Sequence, residues 1–323
     1  MQRASRAGAA PATPDAPVIA CRALEKRYGE RVAVAGIDLD VPPRTCFGLL
    51  GPNGAGKTTT LRMIYGVTRP TRGSVRVFGL DVGRETRRVR ARIGVTLQEN
   101  ALVEPLSAVE NLRIFARYHR LPAAVAEQRI EELLDFLELR SHADVPVRAL
   151  SGGFQRRLAI ALSLVNQPEL LILDEPTTGL DPAVRLALWQ RVRQLRDAGT
   201  TILLTTHYMD EAERLCDRLA ILAAGRLVAE GVPAALIRER LAPQALELDV
   251  APADEARVLA GLDGVRHLRA GGRLVLFVAD AAALLETLRH RDAAGDPTAV
   301  VVRPADLEDL FLALTGTALE GGS

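Results

Sequence analysis

The stretch CFGLLGPNGAGKTTTLRMI, from Cys46 to Ile64, constrains the fold more than any other part of the chain. A short apolar run reads as a buried strand, glycines follow at 51, 54 and 56, and helix formers resume at Lys57. A strand that turns through glycines directly into a helix is half of a βαβ unit, so its sheet is expected to be largely parallel and covered by helices. The same residues set the chemistry. The pattern G-x-x-x-x-G-K-T spans Gly51 to Thr58. Gly51, Gly54 and Gly56 let backbone N–H groups wrap a β-phosphate, Lys57 spans β- and γ-phosphates, and the Thr58 hydroxyl is a Mg2+ ligand. Pro52, Asn53 and Ala55 complete the loop and Thr59 follows it, so residues 51–59 are expected to hold a nucleoside triphosphate.

From residue 17 to about 235, short apolar runs alternate with helical segments, which predicts an α/β fold. Strands are expected at 18–24, 46–50, 74–79, 92–97, 170–175 and 201–206, with a hairpin over 219–231 turning at Gly225. Between Asn100 and Leu150 the pattern becomes helical, and Ile130, Leu133, Leu134 and Leu137 recur at i, i+3, i+4 and i+7. This reads as a helical insertion over about 100–165 in a nucleotide-binding domain of residues 17–243. After that come ALELDV, a helix near ADEARVLAGL, a hairpin around Gly271 and Gly272, the helix AAALLETLRHR, the strand TAVVVR and the helix LEDLFLALTG. The order suits a small α+β domain over 244–323. Residues 1–16, rich in Ala and Pro with no apolar core, read as a disordered tail.

Other candidates lie where strands of the α/β core end, the edge at which open sheets bind ligands. LLILDEP closes on Asp174 and Glu175, expected to be splayed by a turn at Pro176. Asp174 would hold Mg2+ through its water shell, and Glu175 would orient and deprotonate an attacking water. His207 ends LLTTH and is placed for a γ-phosphate contact; Gln98 directly follows RIGVTL, where a neutral amide reaches both Mg2+ and water. In LSGGFQRRLAIAL, Ser151 is a helix N-cap, and Gly152 and Gly153 admit a close approach to the helix start, which is an anion site.

Composition narrows the function. Lys and Arg total 41 against 40 Asp and Glu, a formal charge of +1, so no global basic field for nucleic acid is present. Cys21, Cys46 and Cys216 are widely separated, which suggests neither a disulfide framework nor a zinc site. No apolar run approaches the length of a membrane span.

Taken in order, the loop at 51–58, Gln98, LSGG at 150–153, LILDEP at 171–176, GLD at 179–181 and His207 resemble the ATP-binding cassette (ABC) ATPases over residues 17 to 235. The resemblance implies a head-to-tail pair of cassettes in which Ser151 and Gly153 of one copy cap the γ-phosphate held by the other. It further implies that Tyr28 stacks on adenine and Asp181 links the two sites. Phe154 departs from the glutamine many cassettes carry after LSGG. LLTTHYMDEAERLCDRLAIL, GRLVAEG and LEDLFLALTG are similar to the stand-alone ATPases of type-2 exporters, such as the daunorubicin-resistance and nodulation-factor exporters. That resemblance implies an ATP- and Mg2+-dependent motor, peripheral on the cytoplasmic side of the membrane, pairing as a homodimer and driving a separate membrane permease. The cargo implied is a drug-like or lipid- or saccharide-like compound. A soluble cassette acting on ribosomes or DNA is the alternative, disfavoured by the single cassette, balanced charge and lack of sustained heptads. A GTPase switch is weaker still, because no guanine-reading N-K-x-D is present.

Overall fold

Why the chain turns back at Gly29 is visible in the first two strands. β1 (Ile19–Tyr28) pairs antiparallel with β2 (Arg31–Val41) across that left-handed glycine in a computed structural model that describes residues 16–291 and 300–316. The expected tail lies outside the described residues except for residue 16, as do the first two residues of TAVVVR. β2 was not expected from the sequence. Its inward residues are Val34, Ile37, Leu39 and Val41, and the irregularity near left-handed Gly36 breaks the period-two signal.

β3 (Cys46–Leu50) is buried at every position, as a strand covered on both faces must be. The phosphate loop and α1 (Lys57–Ile64) follow. β4 (Arg72–Val77) and β5 (Leu80–Asp81) then return to the first hairpin, giving a four-stranded antiparallel sheet of order β2-β1-β4-β5. Thus the first strand sits in a separate sheet beside the parallel one. α2 (Val82–Arg90) leads to β6 (Ile93–Thr96), after which α3 (Ala108–Tyr118), α4 (Ala123–Phe136) and α5 (Gly152–Leu164) form the helical insertion. Ser107 and Glu110 close a reciprocal capping box on α3, and all four apolar residues expected on the face of α4 are buried.

β7 (Leu170–Asp174), α6 (Pro182–Asp197), β8 (Thr201–Thr205), α7 (Met209–Leu215), β9 (Arg218–Ala223) and β10 (Arg226–Gly231) complete a six-stranded sheet of order β10-β9-β3-β8-β7-β6. Only β10 runs antiparallel, through a turn at Ala224 and Gly225, both left-handed. β3 therefore lies inside the sheet between β8 and β9, with the ends of β7 and β8 beside the phosphate loop.

α8 (Pro233–Arg240) leads to β11 (Gln244–Leu248), α9 (Glu255–Leu259), β12 (Arg266–Ala270), β13 (Arg273–Val278), α10 (Ala281–Arg291), β14 (Val300–Pro304) and α11 (Leu307–Thr315). The strands form an antiparallel sheet of order β12-β13-β11-β14. Alternation divides its residues between two cores. Ala245, Val275 and Phe277 join the core beneath the parallel sheet, whereas Leu246, Leu248, Leu274 and Leu276 pack with Ala281 and Leu288 of α10. α11 inserts Leu307, Leu310 and Phe311, all fully buried, into the first of these.

One ion-pair network fixes that final helix. Arg303 on β14 donates to both oxygens of Asp309 on α11, at 2.6 and 2.8 Å, and to Glu247 on β11 at 2.7 Å. Asp309 is almost wholly buried, so removing its arginine leaves a carboxylate with little water to replace it. Arg303→Ala is expected to cost about 3 kcal/mol, or less given the half-open arginine, and to loosen α11 first. Hydrogen exchange on α11, beside a denaturant melt, checks this; unchanged protection there would contradict it.

Candidate functional site

Two glycines shape the phosphate loop because nothing larger fits. A Cβ on Gly51 would lie 2.4 Å from the Leu222 carbonyl oxygen, and one on Gly56 would lie 2.5 Å from that of Ala33. Both residues also have positive φ, at 154° and 103°. The loop is thus pressed against β9 and β2 while its other side stays open. Lys57, at the first turn of α1, is almost fully buried, and its ammonium donates to the carbonyls of Gly51 at 2.6 Å and Pro52 at 3.2 Å. Burial pulls its pKa below the usual lysine range, with Glu175 and Asp174 opposing the shift.

A cavity of about 370 Å³ opens over the loop. Residues 52–59 line it, together with Tyr28, Gln98 and Glu175. Tyr28 is half exposed, with the Lys26 ammonium 4.9 Å from its ring centre. Arg31, at the start of β2, also lines the cavity and was not expected from the sequence. Its only advance signal is its place three residues after Tyr28.

The two carboxylates differ sharply in setting. Asp174 ends β7 and is buried, accepting a hydrogen bond from the Thr205 hydroxyl at 2.5 Å. Burial pushes its pKa up, and the Thr205 bond opposes that. Glu175 turns outward because its own backbone is left-handed, with φ 48°. The splay expected from Pro176 therefore occurs one residue earlier. The Glu175 N–H donates to both the carbonyl and the hydroxyl of Thr205, each at 3.1 Å, which pins this uncommon conformation. Its carboxylate faces His207 at 3.3 Å and accepts from Thr178 at 3.2 Å and Gln98 at 3.4 Å. The His207 hydrogen bond leads the effects that hold Glu175 below the ordinary glutamate range, against the pull of partial burial. The role of Thr205 was hidden because in sequence it is one more β-branched strand residue.

The LSGG segment does not line this cavity. Ser151 occupies the N-cap position of α5, and its hydroxyl makes no cap hydrogen bond. A Cβ on Gly152 would meet nothing within 4 Å, and one on Gly153 only Val184 at 3.6 Å. Neither glycine is needed for packing within the chain. Asp181 caps α6, accepting from the Val184 N–H at 3.0 Å.

The residues fit a nucleotide with a divalent ion. Narrow backbone, a buried ammonium and an open loop face suit phosphate; Thr58 and Gln98 line the cavity while Asp174 does not, and the oxygens of the three are of the kind Mg2+ prefers. Among the described residues no group of three or more His, Cys, Asp or Glu side chains could hold a metal. An ion here would depend on phosphate oxygens as well.

The ABC transporter family profile matches residues 34–178, and that of the nodulation factor export protein NodI, C-terminal domain, matches residues 255–316. Nod factor export ATP-binding protein I of Ralstonia nicotianae is 45% identical over 302 residues, covering 93% of this chain and 94% of that one. Its counterpart in Cupriavidus metallidurans is 45% identical over 300 residues, covering 93% and 97%. A solved ATP-binding subunit of an ABC transporter superposes with TM-score 0.64 at 30% identity, covering 69% of this chain and 92% of that one. A dimeric ATP-binding cassette in a post-hydrolysis state, bound to ADP and Pi, gives 0.61 at 27% identity, covering 66% and 98%.

Thr205→Val keeps the shape of the buried side chain and removes its hydroxyl. It is expected to lower stability by about 1–3 kcal/mol, since the Asp174 carboxylate loses its donor. Urea denaturation measures this directly, and a variant as stable as the parent would contradict the arrangement.

Proposed function

Because this chain belongs to the ABC transporter family, among the ATP-binding subunits of the nodulation-factor exporter group, we propose that it is the motor of an exporter whose membrane spans lie in a separate permease. The chain is an ATPase that couples hydrolysis to transport. No described helix is long and apolar enough to cross a membrane, so a spanning partner is consistent with the described residues. The work would be done on the cytoplasmic side of the membrane.

The observation that carries the reading is the separation of two half-sites. The phosphate loop, Gln98 and Glu175 surround one cavity, while Ser151, Gly152 and Gly153 lie outside it with an uncommitted hydroxyl and glycines that the chain's own packing does not require. A helix start of this kind binds anions. In a head-to-tail homodimer, the start of α5 of one copy would meet the γ-phosphate of ATP on the other. Both halves would touch ATP only when closed, so ATP stabilises the closed pair through its differential affinity.

In each site Gly51 to Thr59 would hold the phosphates and Tyr28 would stack on adenine. Mg2+, held by Thr58, Gln98 and Asp174 when bound, would neutralise phosphate charge. Glu175, kept ionised at neutral pH by its neighbours, would orient the attacking water and accept its proton as the new O–P bond forms and the bond to ADP breaks. His207 would contact the γ-phosphate, and Asp181 would join the two sites. Product release would reopen the pair and reset the permease. A drug-like or lipid- or saccharide-like cargo is supported by the likeness to Nod factor export proteins.

Glu175→Gln is expected to bind ATP, lose hydrolysis by about 100-fold or more and accumulate as a dimer. Light scattering with and without ATP checks it; a variant that stays monomeric and hydrolyses normally would sink the assignment. Lys57→Ala is expected to lose ATP binding outright, and tight binding by equilibrium dialysis would count against the loop's role. On the acid side, the depressed Glu175 pKa places the loss of its carboxylate below the ordinary glutamate range. A pH–rate profile of the parent chain that lost activity above that range through Glu175 would contradict the site's electrostatics.

A further inference from the structure

Arg156 lies in α5, five residues beyond Ser151, and is 4% exposed. Its Nε donates to the Pro176 carbonyl at 2.8 Å. One terminal nitrogen donates to the carbonyls of Asp174 and Glu175, each at 2.8 Å. The other reaches the Leu97 carbonyl at 2.6 Å, the Gln98 carbonyl at 3.3 Å and the Asn100 side-chain oxygen at 3.1 Å. Arginine has about five N–H groups, so at least one is shared. Every acceptor is neutral, and none is a carboxylate oxygen. A buried cation without a direct counter-ion is a costly way to stabilise a core, and an apolar side chain would fill the same space at less cost.

What an apolar residue could not do is join three segments. Arg156 ties α5 to the residues that carry Gln98 and to those that carry Asp174 and Glu175. Glu175 is then gripped on both sides: Thr205 holds its N–H, and Arg156 holds its carbonyl. With φ at 48°, that residue keeps its aim toward His207 and Gln98 only while both grips last. From Ser151 to Arg156 is little more than one helical turn, a rigid distance over which a displacement of the helix start is transmitted.

We infer that Arg156 is a positioning residue that couples the two ATP sites: docking of one copy's ATP on the start of the other copy's α5 is carried through Arg156 to that second copy's own Gln98 and Glu175. This rests on the split-site reading above. One site thereby reports to the other through a single planar side chain, and each copy's hydrolytic geometry depends on whether its α5 is engaged. Lysine cannot substitute, because its donors radiate from one atom and cannot span the three segments.

The test uses the full chain and ATP. For Arg156→Gln, ATP binding is expected to stay within about twofold while kcat falls about 30-fold, since the phosphate loop is untouched and the grip on Glu175 is lost. The Hill coefficient for hydrolysis should fall from near two in the parent toward one. Combined with Glu175→Gln, the variant should still form an ATP-dependent dimer. Arg156→Lys keeps the charge but not the fork of donors, and should leave the Hill coefficient as low as Arg156→Gln does. Asn100→Ala, which removes one exposed acceptor and leaves the core intact, guards against a variant that fails to fold. It should lower kcat about threefold and the Hill coefficient with it, at unchanged ATP binding. Parent-like cooperativity in Arg156→Gln, or in Asn100→Ala if the former does not fold, overturns the inference. A parent chain that hydrolyses ATP with a Hill coefficient of one, and whose Glu175→Gln form never dimerises, overturns the split-site reading on which it rests.

Discussion

The hydroxyl of Thr205 holds the site together. It sits between β7 and β8, donating to Asp174 at 2.5 Å and accepting from the Glu175 N–H at 3.1 Å. A fully buried hydroxyl with both functions used fixes one carboxylate inward and turns the next residue out. Parallel pairing of Asp174 with Thr205 sets the register that makes this possible. Had the two strands slipped by one residue, the hydroxyl would face the other side of the sheet.

Two adjacent acids consequently acquire opposite electrostatics. Burial raises the Asp174 pKa, and the His207 contact leads in lowering that of Glu175. The inner carboxylate is costly to ionise until a cation compensates it, which suits a residue that acts on a divalent ion. The outer one is ionised and held by neighbours on three segments, which suits orientation of water. Environment, rather than residue type, sets the two carboxyls apart.

The C-terminal sheet is not an independent appendage. Its strands alternate side chains between their own helix and the core beneath the parallel sheet, and α11 returns to pack against α7 and α8. α7 begins two residues after His207, so the terminal helix abuts the same element that follows the site histidine. Trp189 of α6 donates to buried Glu211 of α7 at 2.7 Å, tying that element in turn to the helix capped by Asp181.

Much was legible before any fold was known, because the relevant chemistry is local. Glycines at 51, 54 and 56 followed by Lys57 and Thr58 dictate a phosphate loop by backbone sterics alone, and the buried face of α4 follows from its period. Asp174, Glu175, His207 and Gln98 could be named because each ends an apolar run at one edge of a sheet. The second strand was missed where Gly36 interrupts its alternation, and the first strand's separate antiparallel sheet depends on pairing with residues far along the chain. Thr205 and Arg156 carry no local signal. Their partners lie 31 residues away for Thr205 and up to 59 for Arg156, and only the packed sheet brings them within hydrogen-bonding reach. The sequence by itself determined which atoms could bind phosphate. Tertiary structure decided which carboxylate is buried, which is aimed outward and what holds it there, since burial and long-range hydrogen bonds exist only once the strands are paired.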